Sequence, residues 1–288
     1  IIFYLISMEK NDSTLEKNAE SVEVKQIVKK SYINDENVVN KQYPICIASF
    51  PRSGNTMMRT IYENTTSTYT GDDMIIKYDD QSDLQLRYYD LGLHDNVKNT
   101  FLIKTHFPDF TFKPNEFKSQ GAVLLVRNPF DAFDSYFEMT RTDSHHKKLS
   151  DEARKEPKNL KIFENFVNWL TPQYNEFHQF WIENLVKVPI KVLKYEWFTN
   201  NKEVGTREVF EFLFKFNADK AYFGNLTKEE ILEKLEKDNI AHSTSYKPGT
   251  NASHNNSLEK GRYSQELLDK IVDVNYDVLN FFGFIDEY

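Results

Sequence analysis

The sequence has little cysteine, glycine or proline, and each shortage excludes a class of protein. Cys46 is the only cysteine among 288 residues, so an intrachain disulfide framework is impossible. Nine glycines and nine prolines are present, and no stretch is rich enough in them to link two domains. The chain is long enough to bury a sizeable core. We therefore expect an N-terminal extension with a helix over residues 1–40 and one domain over residues 41–288.

Long hydrophobic runs and an excess of positive charge are also absent. The apolar run over residues 1–6 is too short to span a bilayer. The net charge of −8 gives no general attraction to nucleic acid or to an anionic membrane. We expect no nucleic-acid partner and no membrane span within this chain. The cytoplasm is the favoured compartment, or the Golgi lumen if residues 1–6 are the remnant of an anchor; the oligomeric state stays open.

The most informative segment begins at Ile45. Its apolar run predicts a buried strand, Ser53-Gly54-Asn55-Thr56 predicts a tight turn, and the periodic segment that follows predicts a helix. This order directs backbone N–H groups and the positive end of the helix toward one point, which suits an anion. Arg52 adds a planar donor fork that matches phosphate or sulfate. The segment therefore predicts an oxyanion site.

Two other interpretations of this segment remain open. Ser53 or Asn55 could simply cap the helix, because both residue types are common caps. A Walker A loop would need an earlier glycine and a lysine after Gly54, and the sequence has neither. A nucleoside triphosphatase also needs an acid for Mg²⁺. The strand over residues 121–126 is followed by Arg127 instead, although Glu196 leaves a P-loop nucleotide kinase possible.

Apolar runs alternate with helical patterns along the chain, which is typical of an α/β fold with a central parallel sheet flanked by helices. Residues 141–158 are polar and predict a loop, and the helical pattern of residues 161–186 is expected to break near Pro172. The first strand is expected to begin at Ile45, and the others cover residues 101–104, 121–126 and 189–194. Further helices are expected over residues 130–140, 207–216 and 264–282.

A polar cluster lies at the end of each of the four expected strands, and the first of these clusters is Arg52 to Thr56. Because ligands bind beyond the carboxyl ends of parallel strands, we expect the clusters to converge there. Lys104 and His106 could supply a cation and a general base. Arg127 could bind a second phosphate, with Ser135 donating to it from the following helix. Asp131 and Asp134 are expected to stabilise the N-terminus of that helix, and Tyr195-Glu196 forms the last cluster.

These motifs resemble those of the PAPS-dependent sulfotransferase superfamily. The segment Ser49 to Thr56 resembles its 5′-phosphosulfate loop, Lys104-Thr105-His106 its catalytic segment, and Arg127 to Ser135 its 3′-phosphate motif. Within the superfamily, the residues of these motifs are most similar to those of the sulfotransferase domain of WSC-domain-containing proteins. The resemblance covers roughly residues 44 to 263 and implies a P-loop-like fold, so residues 41–288 would be the sulfotransferase domain.

The resemblance also implies a function and a set of site residues. The donor would be 3′-phosphoadenosine-5′-phosphosulfate (PAPS), and its product adenosine 3′,5′-bisphosphate (PAP), with no metal required. His106 would be the general base for an acceptor hydroxyl or amine, and Lys104 and Arg52 would stabilise charge during in-line transfer. A non-catalytic PAP-binding domain of the same fold is the alternative. The implied donor-binding residues are Arg52, Ser53, Gly54, Asn55, Thr56, Arg127, Ser135, Tyr195, Lys260, Gly261 and Arg262.

Overall fold

A five-stranded parallel sheet forms the centre of the protein. The computed structural model describes residues 44–72, 101–108, 119–144, 147–216, 218–237 and 261–287. The spatial strand order is β2-β3-β1-β4-β5, and every neighbouring pair is parallel. Because the order changes direction at β1, the ends of β1, β3 and β4 lie side by side. The strands are β1 (Ile45–Ser49), β2 (Gly71–Asp72), β3 (Leu102–Thr105), β4 (Gly121–Val126) and β5 (Ile190–Lys194).

Helices cover both faces of the sheet, and alternate residues of each central strand point to opposite faces. Cys46 and Ala48 of β1 enter the core on one face, whereas Ile45 and Ile47 enter the core on the other. All four are buried, which explains why β1 is a continuous apolar run rather than an alternating one. The predicted α/β class with a central parallel sheet flanked by helices is therefore confirmed.

Three helices form the core on the Ala48 face, and three others form it on the Ile47 face. The first group is α2 (Pro129–Thr142), α4 (Pro157–Asn184) and α8 (Gln265–Phe282). The second group is α1 (Asn55–Thr66), α6 (Lys202–Leu213) and α7 (Lys228–Lys237). The short helices α3 (Asp151–Lys155) and α5 (Tyr195–Asn200) and the 3₁₀ turns Phe214–Phe216, Lys220–Phe223 and Ile285–Glu287 complete the described elements.

Two predictions about the middle of the chain are wrong. Residues 151–158 are not loop, because α3 forms over Asp151–Lys155 and α4 begins at Pro157. The break expected at Pro172 does not occur, and α4 continues for 28 residues. Leu170 and Tyr174 are fully buried on either side of the proline. This packing holds the helix together where the proline removes a backbone hydrogen bond.

The start of α7 has a capping box that is visible in the sequence, although no helix was predicted there. Thr227 and Glu230 form a capping box: the hydroxyl of Thr227 accepts from the Glu230 N–H, and the Glu230 carboxylate accepts from the Thr227 N–H. The spacing of these two residue types before an apolar-periodic stretch is a helix start. Among the described residues, no helix is long and apolar enough to cross a membrane.

Candidate functional site

A tight turn joins β1 to α1 and directs the first turn of that helix toward the end of the sheet. The N–H of Ser53 donates to the carbonyl of Phe50, and Arg52 and Gly54 both have positive φ, at 70° and 98°. Positive φ is costly for any residue with a Cβ. Arg52 is thus held in an uncommon backbone conformation, as is typical of residues at functional sites. Thr56 lies in the first turn of α1, next to this loop.

Neither of the two suspected residues caps α1. Its N-cap position is Gly54, and no side chain caps the helix there. The Asn55 side chain turns inward instead, and its Nδ2 donates to the carbonyl of Ile47 at 2.8 Å and to Oγ of Ser49 at 3.1 Å. Ser53 is 1% exposed, and no described residue bonds its Oγ. The positive end of α1 therefore keeps its capacity to bind an anion.

Arg52 and Ser135 are in direct contact. The sequence indicated only that their two segments converge at the carboxyl ends of the strands. Nε of Arg52 donates to Oγ of Ser135 at 3.1 Å, and Nη1 of Arg52 lies 3.6 Å from Sδ of Met139. Ser135 and Met139 are one turn apart on α2, so they share a face of that helix. The contact brings the predicted sulfate-binding arginine to the helix that carries the predicted phosphate-binding serine.

Arg127 connects the loop to the start of α5. Its Nη1 donates to the carbonyl of Arg52 at 2.7 Å, and its guanidinium carbon lies 4.4 Å from the centre of the Tyr195 ring. The same ring packs against Gly54, where an added Cβ would lie 2.8 Å from Cδ2 of Tyr195. Arg127 is 6% exposed, and its Nε has no hydrogen-bond partner in the described part of the chain. A buried cation with an available donor faces this group of residues.

A hydrogen bond links the His106 ring to the last residue of β1. Its Nδ1 lies 2.6 Å from the carbonyl oxygen of Ser49. Since a carbonyl can only accept, Nδ1 carries the proton and Nε2 carries the lone pair of the neutral ring. Lys104 lies two residues earlier on β3, in register with Ile47 and therefore on the sheet face that α1 covers. The predicted cation thus lies on the strand next to β1, and the predicted base directly follows that strand.

The geometry agrees with the comparison to known protein families. The chain matches the family described as the sulfotransferase domain over residues 42–270, which is well over half of its length. The chain belongs to the sulfotransferase family. None of the curated proteins compared with the chain matches it significantly. Family membership makes the protein an enzyme of sulfuryl transfer, and the resemblance of its motifs to that superfamily is confirmed.

Arg262 of this sulfotransferase lies in a different environment from the other predicted donor-binding residues. Its Nη1 donates to Oδ1 of Asp134 at 2.7 Å, and its Nη2 donates to Oε1 of Glu138. Asp134 was expected to stabilise the N-terminus of α2. It pairs with the guanidinium of Arg262 instead. Gly261 precedes Arg262 with a φ of 67°, and Lys260 lies outside the described residues. The roles predicted for Lys260 and Gly261 stay predictions.

Two residues that the sequence did not single out, and one that it singled out for another role, hold the candidate site in place. The Tyr174 hydroxyl donates to the carbonyl of Arg127 at 2.8 Å, and Nε1 of Trp181 donates to the carbonyl of Phe107 at 2.8 Å. Oε1 of Glu196, considered above as a metal ligand, accepts from the N–H of Asn128 at 3.0 Å. Nothing in the sequence separates Tyr174 and Trp181 from ordinary core residues of α4. Their polar atoms act on backbone carbonyls, which leave no sequence pattern.

Metal ligands are not grouped anywhere in the part of the chain that the structure describes. No three His, Cys, Asp or Glu residues lie close enough there to hold an ion. Positive charge is instead concentrated around the loop, at Arg52 and Arg127. The arrangement can bind an anion through donors fixed in advance, which is how electrostatic stabilisation of a charged transition state works.

Proposed function

We propose that this sulfotransferase moves a sulfuryl group from PAPS to a hydroxyl or amine of a small-molecule or glycan acceptor, by in-line displacement with His106 as the general base. The observation that carries the proposal is the uncapped N-terminus of α1 beside two buried donors, Oγ of Ser53 and Nε of Arg127, that no other described residue uses. Such orphaned polar groups are costly unless a ligand satisfies them. A phosphosulfate would do so.

The two charged ends of the donor would bind to different members of this group of residues. The N–H groups and side chains of the loop over residues 52–56 would bind the 5′-phosphosulfate. Arg127 and Ser135 would bind the 3′-phosphate, with Tyr195 close to the nucleoside. The contacts of Arg52 with Ser135 and of Arg127 with the Arg52 carbonyl support this division, because they join the residues proposed for both ends of the donor. PAPS supplies the sulfuryl group and a phosphate leaving group.

The residues around the reacting atoms have complementary roles in this mechanism. Nε2 of His106 would take the proton from the acceptor as the acceptor oxygen or nitrogen attacks sulfur. The bond between sulfur and the 5′-phosphate oxygen would break, which releases PAP. Lys104 and Arg52 would stabilise charge on the sulfuryl and phosphate oxygens. As in phosphoryl transfer, most of the catalysis would come from positioning and electrostatics.

The experiment is a pair of measurements on the purified protein. Calorimetric titration with PAP, and with adenosine 5′-monophosphate as a control that lacks the 3′-phosphate, tests the donor site. Incubation with sulfur-labelled PAPS and a panel of phenols, glycans and amines tests transfer. We expect PAP to bind more tightly than the monophosphate and to raise the melting temperature, because it binds only the folded state. PAP binding without transfer to any acceptor would favour the non-catalytic alternative, and no PAP binding would overturn the proposal.

A further inference from the structure

Arg262 is a deeply buried cation that packs against α2 beside the proposed donor site. Its side chain is 2% exposed, and its guanidinium lies 5.4 Å from the ring centres of both Phe137 and Phe163. Two of its nitrogens are bonded to Asp134 and Glu138. Its Nε has no hydrogen-bond partner among the described residues, but both of its terminal nitrogens, which a forked contact to phosphate would use, are occupied by the carboxylates. Its two carboxylate partners are the groups on which it acts.

The two carboxylates lie next to the residue that would bind the 3′-phosphate. Asp134 directly precedes Ser135 on α2, and Glu138 follows Ser135 by three residues. One face of α2 thus carries Ser135 and contacts Arg52, while the adjoining face carries Asp134 and Glu138. A dianionic phosphate at Ser135 would therefore lie close to two negative side chains.

Arg262 supplies one of the two positive charges that the described residues place against these carboxylates. Asp134 and Glu138 contribute two negative charges, and the positive charges come from Arg262 and from Arg154, whose Nε lies 3.1 Å from Oε1 of Glu138. Loss of Arg262 would leave uncompensated negative charge beside the proposed phosphate site. At a separation of about 10 Å and an effective dielectric constant of about 20, one such charge would weaken the binding of a dianionic phosphate by over a hundredfold without screening, and by about tenfold at moderate salt.

We propose that Arg262 serves the donor indirectly, by neutralising Asp134 and Glu138 beside Ser135, and does not bind the 3′-phosphate itself. The proposal rests on the proposed function, since it requires a phosphate at Ser135. Arg262 is then a positioning residue that acts through α2. This replaces the direct contact that the sequence resemblance implied for it.

The test compares PAP binding by the wild type, by Arg262→Met and by the triple variant Arg262→Met/Asp134→Asn/Glu138→Gln. We expect the single variant to bind PAP at least tenfold more weakly at low salt, with much of the loss removed in 0.5 M salt by screening. By the same count, the single variant changes the cluster from 0 to −1, and the triple variant changes it to +1 because Arg154 loses its partner Glu138. The triple variant should therefore bind PAP as tightly as the wild type or more tightly. A residue that contacts the phosphate directly could not be rescued in this way.

The control is Lys191→Met, which removes one positive charge from the partly exposed pair with Glu208 and should leave PAP binding unchanged. If the single variant does not fold, the triple variant still decides, because it buries amides in place of unpaired charges. A folded triple variant that binds PAP more than tenfold more weakly than the wild type would overturn the proposal. So would a folded single variant with unchanged binding. A wild type that does not bind PAP would remove the proposed function, and the role of Arg262 with it.

Discussion

Nδ1 of His106 lies 2.6 Å from the carbonyl oxygen of Ser49. This hydrogen bond fixes the ring by a backbone group at the end of β1, and it also decides which nitrogen carries the proton. The strand that leads into the anion loop therefore orients the proposed base of the neighbouring strand. A link through the backbone keeps the base in place relative to the loop, whichever acceptor is bound.

Replacement of His106 by alanine should remove transfer and leave donor binding intact. Loss of a general base costs on the order of 10²- to 10⁴-fold in rate, whereas the loop and Arg127 are unchanged. The measurement is the initial rate of label transfer from PAPS, together with the Kd of PAP by calorimetry. Full activity in this variant would refute the assignment of the base. A parallel loss of PAP binding would show instead that the substitution disturbs the loop.

Gly54→Ala should weaken both folding and donor binding. At Gly54 an added Cβ would lie 2.8 Å from the Tyr195 ring, and the backbone has a φ of 98°. The backbone conformation alone should cost about 1–2 kcal/mol of folding free energy, and the displaced ring would lose its place against Arg127. We expect PAP to bind at least tenfold more weakly, measured by calorimetry beside urea unfolding.

The matched control for Gly54 is Gly283→Ala at the end of α8. Gly283 has a φ of 64°, and its added Cβ would have only Nζ of Lys194 within 4 Å, at 3.8 Å. This variant should show the backbone cost without any loss of PAP binding. Equal effects of the two substitutions on PAP binding would contradict the role given to the contact between Gly54 and Tyr195.

Trp181→Phe should lower kcat with little change in donor affinity. The substitution removes the hydrogen bond from Nε1 to the carbonyl of Phe107, the residue after His106, and keeps an aromatic ring against Phe180. A displacement of the base by a fraction of an ångström is costly, because proton transfer needs a short donor–acceptor distance. We expect a kcat reduced by about tenfold and an unchanged Kd for PAP.

Trp169→Phe is the control on the same helix. Trp169 lies about three turns before Trp181 and packs against Phe166. It should leave kcat unchanged. If both tryptophan variants lose the same activity, the effect of Trp181 lies in the stability of α4 and not in the orientation of His106.

Much of the sheet could be predicted from the sequence, because buried parallel strands leave continuous apolar runs and their ends converge by topology. The residues 121–126 were predicted and found as a strand with the same bounds. The edge strand Gly71–Asp72 has only two residues and no apolar pattern, so it could not be predicted. Pro172 was misjudged because its tolerance depends on the packing of Leu170 and Tyr174, which the local sequence does not contain.

The site, like the fold, was predictable where neighbouring residues carry the pattern and not where distant residues meet. The members of the anion loop follow one another along the chain, so their residue types and order carry the prediction. The contact of Arg52 with Ser135 joins residues 83 positions apart, and topology alone indicated it. The partners of Arg262 could not be inferred, because Asp134 and Glu138 look like ordinary helix-surface acids until the packing of residues 261–263 onto α2 is known.

His178 should make the protein less stable in acid. Its ring is buried among Phe50, Tyr174 and Phe282, its Nδ1 lies 2.8 Å from the carbonyl of Tyr174, and burial lowers its pKa from 6.5 to about 3. Below pH 6.5 His178 is therefore protonated in the unfolded chain, whereas in the native protein it stays neutral. The free energy of unfolding consequently falls as the pH falls. Between pH 7.5 and pH 5 the loss should be about 2 kcal/mol.

His178→Phe isolates this contribution, because phenylalanine keeps a ring in the aromatic cluster and cannot be protonated. The other titrating groups are the same in both proteins, so their effects cancel in the difference. Urea unfolding of the two proteins at pH 7.5 and at pH 5 is the measurement. We expect the stability of the wild type relative to the variant to decrease by about 2 kcal/mol over this range. A difference in stability that is independent of pH would show that His178 is protonated to the same extent in the native and unfolded states.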